Sequence, residues 1–140
     1  MTPDQNVELV LKYFDACNSG DIEELTATLA DDVIHYFLPL EHPPIYGSTH
    51  LAKYWSKFKT MYHPQWNIDH TIASGNEVVS EWSCAYTRPS DGARMMFRGT
   101  EWYLVVANRI SEVRAYYRYD ENMDCQLAGF PYPDREYLGK

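Results

Sequence analysis

The stretch from Gly92 to Asp120, GARMMFRGTEWYLVVANRISEVRAYYRYD, constrains the fold of this chain more than any other. β-Branched and aromatic residues crowd both of its arms, as a pleated, half-buried surface requires, and Ala107-Asn108-Arg109 between them reads as a tight turn. A long hairpin is therefore expected. Alternation puts Phe97, Gly99, Glu101, Tyr103 and Val105 on one face, and Met96, Arg98, Thr100, Trp102, Leu104 and Val106 on the other. Both faces are largely apolar, so both need cover: one from the protein's own helices, the other from a partner. On the first face Glu101 becomes a carboxylate in an apolar hollow. Burying an unpaired charge is expensive, so such a group shifts its pKa, finds a partner or does chemistry.

The rest of the chain supplies the helices. Val7, Leu9, Val10, Leu11, Tyr13, Phe14 and Cys17 recur at helical spacing, and Asn18-Ser19-Gly20 stops the run. Asp21 caps a second helix, with Glu24 three residues on; Ile22, Leu25 and Leu29 face inward and the helix ends near Asp31-Asp32. A strand over Val33–Leu38 and a Pro-rich loop follow. Ser48 or Thr49 then opens a third helix with Leu51, Tyr54, Trp55, Phe58 and Met61 on one side, ended by His63-Pro64. Trp66–Ala73 and Glu77–Thr87 read as strands, and Pro89-Ser90-Asp91-Gly92 as a hairpin turn. The fold class is α+β: one domain over residues 1–140, in which a curved, mostly antiparallel sheet wraps three helices into a cone with an internal apolar pocket. Residues 121–140 form a Pro/aromatic C-terminal tail, expected to cross the surface or the pocket mouth.

The bulk chemistry excludes several classes of function. A chain of 140 residues that is 45% hydrophobic, with 12 Tyr and 4 Trp, is a globular domain with a real core. A net charge of −8 offers no basic patch to nucleic acid or to an anionic membrane. No apolar run approaches the ~20 residues that span a bilayer, and the N-terminus lacks the features of a signal peptide. Cys17, Cys84 and Cys125 read as reduced packing thiols of a cytoplasmic protein. His35, His42, His50, His63 and His70 show no metal-ligand pairing, and there is no Gly-rich phosphate loop, so neither a metal nor another cofactor is expected.

Three segments, NSGDIEELTATLADDV, WNIDHTIASGNEVVSEW and RGTEWYLVVANRISEVRAYYRYD, resemble the nuclear transport factor 2-like superfamily, and its SnoaL-like polyketide cyclase branch in particular. That superfamily hosts cyclases, isomerases, dehydratases, epoxide hydrolases and non-catalytic binding modules, so the resemblance specifies a fold better than an activity. It implies a catalytic carboxylate at Glu101, in Arg98-Gly99-Thr100-Glu101, where the cyclases carry Asp. Its dehydratase members imply a catalytic His at His70 and an orienting Asp at Asp21, a residue that an N-cap role already explains. The epoxide-hydrolase acid–Arg–acid set falls on Trp82, Cys84 and Ala115, which speaks against that chemistry.

Two readings stay open. One is a cofactor-independent acid–base enzyme in which Glu101 and His70 exchange a proton with an apolar cyclic or aromatic carbonyl compound, in a cyclisation, isomerisation or dehydration. Tyr13, His35, Tyr54, Trp55, Phe58, Trp66, Tyr86, Tyr103 and Tyr116 are its candidate pocket residues. The other is a non-catalytic ligand-binding or assembly module, with Glu101 in a structural ion pair to Arg114 or Arg118 and His70 hydrogen-bonded in the core. Under either, Met96, Trp102, Leu104 and Val106 form a patch too apolar for solvent and imply a homodimer.

Overall fold

The computed structural model describes residues 1–38, 42–123 and 131–132. Three helices pack against one curved, unclosed sheet of six strands, the α+β cone that the sequence implies. The first helix, α1 (Pro3–Ser19), starts on a capping box between Thr2 and Gln5 and buries Leu9, Val10, Tyr13, Phe14 and Cys17. It stops at Gly20, whose φ of 71° suits a residue without Cβ. Asp21 caps α2 (Ile22–Thr28) by accepting a hydrogen bond from the Glu24 amide at 3.1 Å. Leu25 is buried, while Ile22 is exposed.

The second helix is shorter than its acidic end suggests. β1 runs over Leu29–Leu38, because Leu29 pairs with Ile110 and the register slips before Ile34, which leaves Asp31 and Asp32 in solvent on a bulged strand. The Pro-rich segment holds a two-residue strand, β2 (Ile45–Tyr46), too short for periodicity to reveal. Then come α3 (Ser48–Tyr62), β3 (Gln65–Ser74), β4 (Glu77–Thr87), β5 (Arg94–Val106) and β6 (Arg109–Tyr117). On α3, Leu51 and Trp55 are buried, but Met61 is 48% exposed and Tyr62 takes the inward place.

The strands lie in the order β2-β1-β6-β5-β4-β3, every pair antiparallel except β1 with β6. Ala107 (φ 49°) and Asn108 (φ 63°) make the β5–β6 turn with two successive left-handed residues, the geometry that matches strand twist in a two-residue hairpin. Register then builds two rows across the inner face. Phe37, Ala115, Glu101 and Ser80 form one; His35, Val113, Tyr103 and Val78 form the next. The three tryptophans Trp55, Trp66 and Trp82 stack edge to face behind these rows, with ring centroids 5.8 and 4.9 Å apart. Beyond residue 123 only Pro131 and Tyr132 are described, so the expected tail, Cys125 included, lies outside the described residues.

Candidate functional site

Glu101 occupies the middle of the inner face and is 3% exposed. Small residues make room for it: Ala115 is its partner on β6 and Ser80 its partner on β4. Its Oε2 accepts a 2.6 Å hydrogen bond from the Tyr103 hydroxyl. That hydroxyl has a single proton, so Ser80 Oγ, 2.9 Å away, donates to Tyr103. The result is a directed chain, Ser80 to Tyr103 to Glu101. Arg114 binds Glu112 and lies over Trp102 on the outer face, and Arg118 pairs with Asp120, so the structural ion pair that one reading of the sequence implies does not form. Burial pushes the carboxyl up to about 7, against a smaller downward pull from Tyr103.

Tyr13 and Cys17 from α1 complete the surroundings. The Trp55 indole donates to the Tyr13 hydroxyl at 2.7 Å, and the Glu101 charge is felt at both Tyr13 and Cys17, whose own ionisations burial pushes far up. His35, one row deeper and two strands away, is fully buried against Phe37 and Trp55, with ring centroids 4.4 and 5.5 Å distant. Neither of its ring nitrogens has a hydrogen-bond partner among the described residues. Burial, and secondarily His42, pulls its pKa down to about 3, so it is a neutral imidazole.

The other two expected catalytic residues lie elsewhere. The β3–β4 register slips between Ile68 and His70, and the extra residue, Asp69, reverses the alternation. His70 is therefore exposed on the outer face, opposite Glu81, and Asp69 beside it is buried on that same face. Asp69 accepts from Ser83 Oγ at 2.6 Å, and Arg98 donates to the same Ser83 at 3.1 Å, a polar cluster on the outer face that alternation alone does not reveal. Asp21 is exposed and engaged as the α2 cap.

A cavity of about 180 Å³ opens beside Glu101's row, lined by Phe37, His42, Tyr54, Phe58, Tyr62, Phe97, Tyr117 and Tyr119. Of the residues expected there, Tyr54 and Phe58 line it. Tyr13, His35, Trp55, Trp66, Tyr86 and Tyr103 are buried around it in the core, and Tyr116 is 43% exposed on the outer face. Its neighbour Tyr117 points inward, in phase with Val113 and Ala115, an alternation legible in the sequence. Tyr117 also links cavity to acid: the Glu101 charge helps to raise its pKa, after burial and Tyr54. Gly99 is what lets Tyr117 lie there, since a Cβ at that position would meet Tyr117 Cβ at 2.6 Å and Trp82 at 2.8 Å. A larger concavity, about 680 Å³, is a groove between α1, α2 and the β5–β6 turn, and it touches none of these groups. Among the described residues no three His, Cys, Asp or Glu side chains converge to hold a metal ion.

A helix-filled cone with a buried acid and an aromatic cavity matches the nuclear transport factor 2-like fold. The chain belongs to the SnoaL-like domain family, whose model matches residues 10–113. Solved structures agree in fold. A protein of unknown function with a cystatin-like fold from Methylobium petroleophilum PM1 is 23% identical, with 98% of this chain and 93% of that one covered and a TM-score of 0.73. An LEH-like epoxide hydrolase from M. tuberculosis is 20% identical over 83% of this chain and 84% of that one, with a TM-score of 0.73. A candidate polyketide cyclase from Xanthomonas campestris pv. campestris is 24% identical over 83% of this chain and 92% of that one, with a TM-score of 0.72. No curated protein matches the chain. None of its described helices is long and apolar enough to cross a membrane.

Proposed function

We propose that the protein is a cofactor-independent acid–base enzyme that moves a proton next to the carbonyl of an apolar cyclic or aromatic compound, in a cyclisation, isomerisation or dehydration. One observation carries the reading: Glu101 is a buried carboxyl with no ion pair among the described residues, oriented through one oxygen by Tyr103 and held at a pKa of about 7. A group with that pKa has both proton states available at neutral pH, which suits a general base that must also return its proton. With Oε2 occupied by Tyr103, Oε1 is the oxygen to face the reacting carbon. His35, rather than His70, is the imidazole on this side of the sheet, a neutral ring fully buried against Phe37 and Trp55. Apolar and buried residues at Trp82, Cys84 and Ala115 count against epoxide hydrolysis. The buried free thiols Cys17 and Cys84 suit a cytoplasmic setting.

The test is turnover of a panel of cyclic ketones and phenols by the wild type and Glu101→Gln. Loss of about 10²–10⁴-fold in kcat, with binding kept, is the expected result. Full turnover by the Gln variant ends this reading. So does a panel that wild type binds without converting; the family's other mode, a ligand-binding module, then takes its place. That rival draws on one feature of the site, namely that the cavity wall is aromatic and Glu101 lies behind it.

A further inference from the structure

The cavity and the row behind it bear on substrate size and charge. The cavity walls already touch each other. Phe37 lies 4.3 Å from His42 and 5.6 Å from Tyr54, and Phe97 lies 5.5 Å from Tyr117, centroid to centroid. Widening the space breaks these contacts. A protein cavity of about 150 Å³ lined by apolar side chains holds benzene, and the space here is about 180 Å³. Its polar groups are tyrosine hydroxyls and His42, and no Lys, Arg, Asp or Glu among the described residues lines it. The His42 Nδ1 sits 2.7 Å from the Pro43 carbonyl, which can only accept, so that nitrogen carries a proton. Between Phe37 and Glu101 on their shared row stands only Ala115, the smallest of the four residues in it.

We infer that the site takes an uncharged compound of one six-membered ring bearing a hydroxyl or carbonyl, seated against Phe37 and presented across Ala115 to Glu101. The inference rests on reading this cavity as the substrate site, and it goes beyond that reading in excluding fused bicyclic and larger skeletons. Its signature runs against the ordinary trend. On an open apolar surface a second ring buries more area and binds more tightly. In a space of about 180 Å³ it overpacks the walls and binds more weakly.

The experiment is titration of the full chain by aromatic ¹H–¹³C NMR with phenol, cyclohex-2-enone, 2-naphthol, 2-tetralone and benzoate, in wild type, Glu101→Gln and Phe58→Leu. Expected are binding of the two single-ring neutral compounds with shifts at Tyr117 and Phe37, and Kd values about tenfold or more higher for the two bicyclic ones. Benzoate leaves both signals unmoved. Phe58→Leu, which enlarges the cavity, narrows the gap between one ring and two. Bicyclic binding as tight as that of phenol overturns the inference, as does failure of both single rings to bind or binding that leaves Tyr117 and Phe37 undisturbed. Size discrimination is read from binding alone and is expected unchanged in Glu101→Gln. An enzyme reading that fails on turnover therefore remains distinguishable from a size rule that fails on affinity.

Discussion

At the scale of single residues, Glu101 couples function to folding. Its carboxyl titrates near 7 in the fold against 4.5 for the free side chain. Between those values the folded protein holds a proton that the unfolded chain has lost, so stability from this site is complete below 4.5 and falls as pH rises through 7. The loss is on the order of 3 kcal/mol. Glu101→Gln keeps a neutral side chain at every pH and is expected to be the more stable protein above pH 8, while the two differ little at pH 4. Urea unfolding at both pH values checks this, and equal pH dependence in the two proteins would contradict a buried protonated acid. His35 has the opposite sign: its folded pKa of about 3 lies below the usual 6.5, so its contribution is complete above 6.5 and is lost as pH falls through 3. The inner face is thus free of charge at these two sites between about 3 and 7. Tyr103→Phe removes the Tyr103 hydrogen bond, which favours the carboxylate. Its expected effect is a further rise of the Glu101 pKa, read as an alkaline displacement of the pH–rate profile or of the Glu101 carboxyl ¹³C titration. A profile that does not move would show that Tyr103 exerts no hold on the acid.

At the scale of elements, strand phase decides which residues meet. β5 alternates strictly from Phe97 to Val105, so its inward set of Phe97, Glu101, Tyr103 and Val105 is legible in the sequence alone. Gly99 belongs to that set for a steric reason: besides Tyr117 and Trp82, a Cβ there would meet the Tyr116 carbonyl at 2.8 Å, an atom that cannot turn aside. Gly99→Ala is expected to cost about 1–3 kcal/mol in chemical unfolding, and a variant as stable as wild type would refute this packing. β3 departs from its sequence pattern because a bulge is invisible to period-two counting: one extra residue, Asp69, sends His70 outward and Ile72 with it. His42 carries no sequence signal for another reason, since it lies in a Pro-rich segment with no period at all and reaches the cavity through ring contacts with Phe37 and Tyr54. The buried acid is therefore readable from one strand, whereas its companions depend on a register slip and a loop that only tertiary packing fixes.

At the scale of the molecule, the outer face of the sheet remains to be accounted for. Ile72, Val79, Trp102 and Arg114 form one row across it, and Ile72, Trp102, Val106 and Tyr116 are 61, 39, 51 and 43% exposed. Met96, expected in the same patch, is instead 1% exposed, so the apolar area is centred on the β5–β6 end of the face. Trp102 is held in place there: its indole donates to Glu77 at 3.0 Å and the Arg114 guanidinium lies 5.4 Å from its ring centroid. Large apolar groups fixed in solvent and flanked by Glu77, Glu112 and Arg114 suit a twofold contact, in which each copy sets Arg114 toward the other's Glu77 and the two Trp102 rings are buried at the centre. We propose that the protein is a homodimer through this face. A formal charge of −8 on each copy opposes the contact, so raising the ionic strength should tighten it. Light scattering at micromolar concentration is expected to give twice the 16.3 kDa chain mass, rising to full dimer with salt, and Trp102→Glu to give the single-chain mass with its circular dichroism unchanged. A wild type that stays at the single-chain mass across the salt range would remove the dimer, and would leave this face exposed for a different partner.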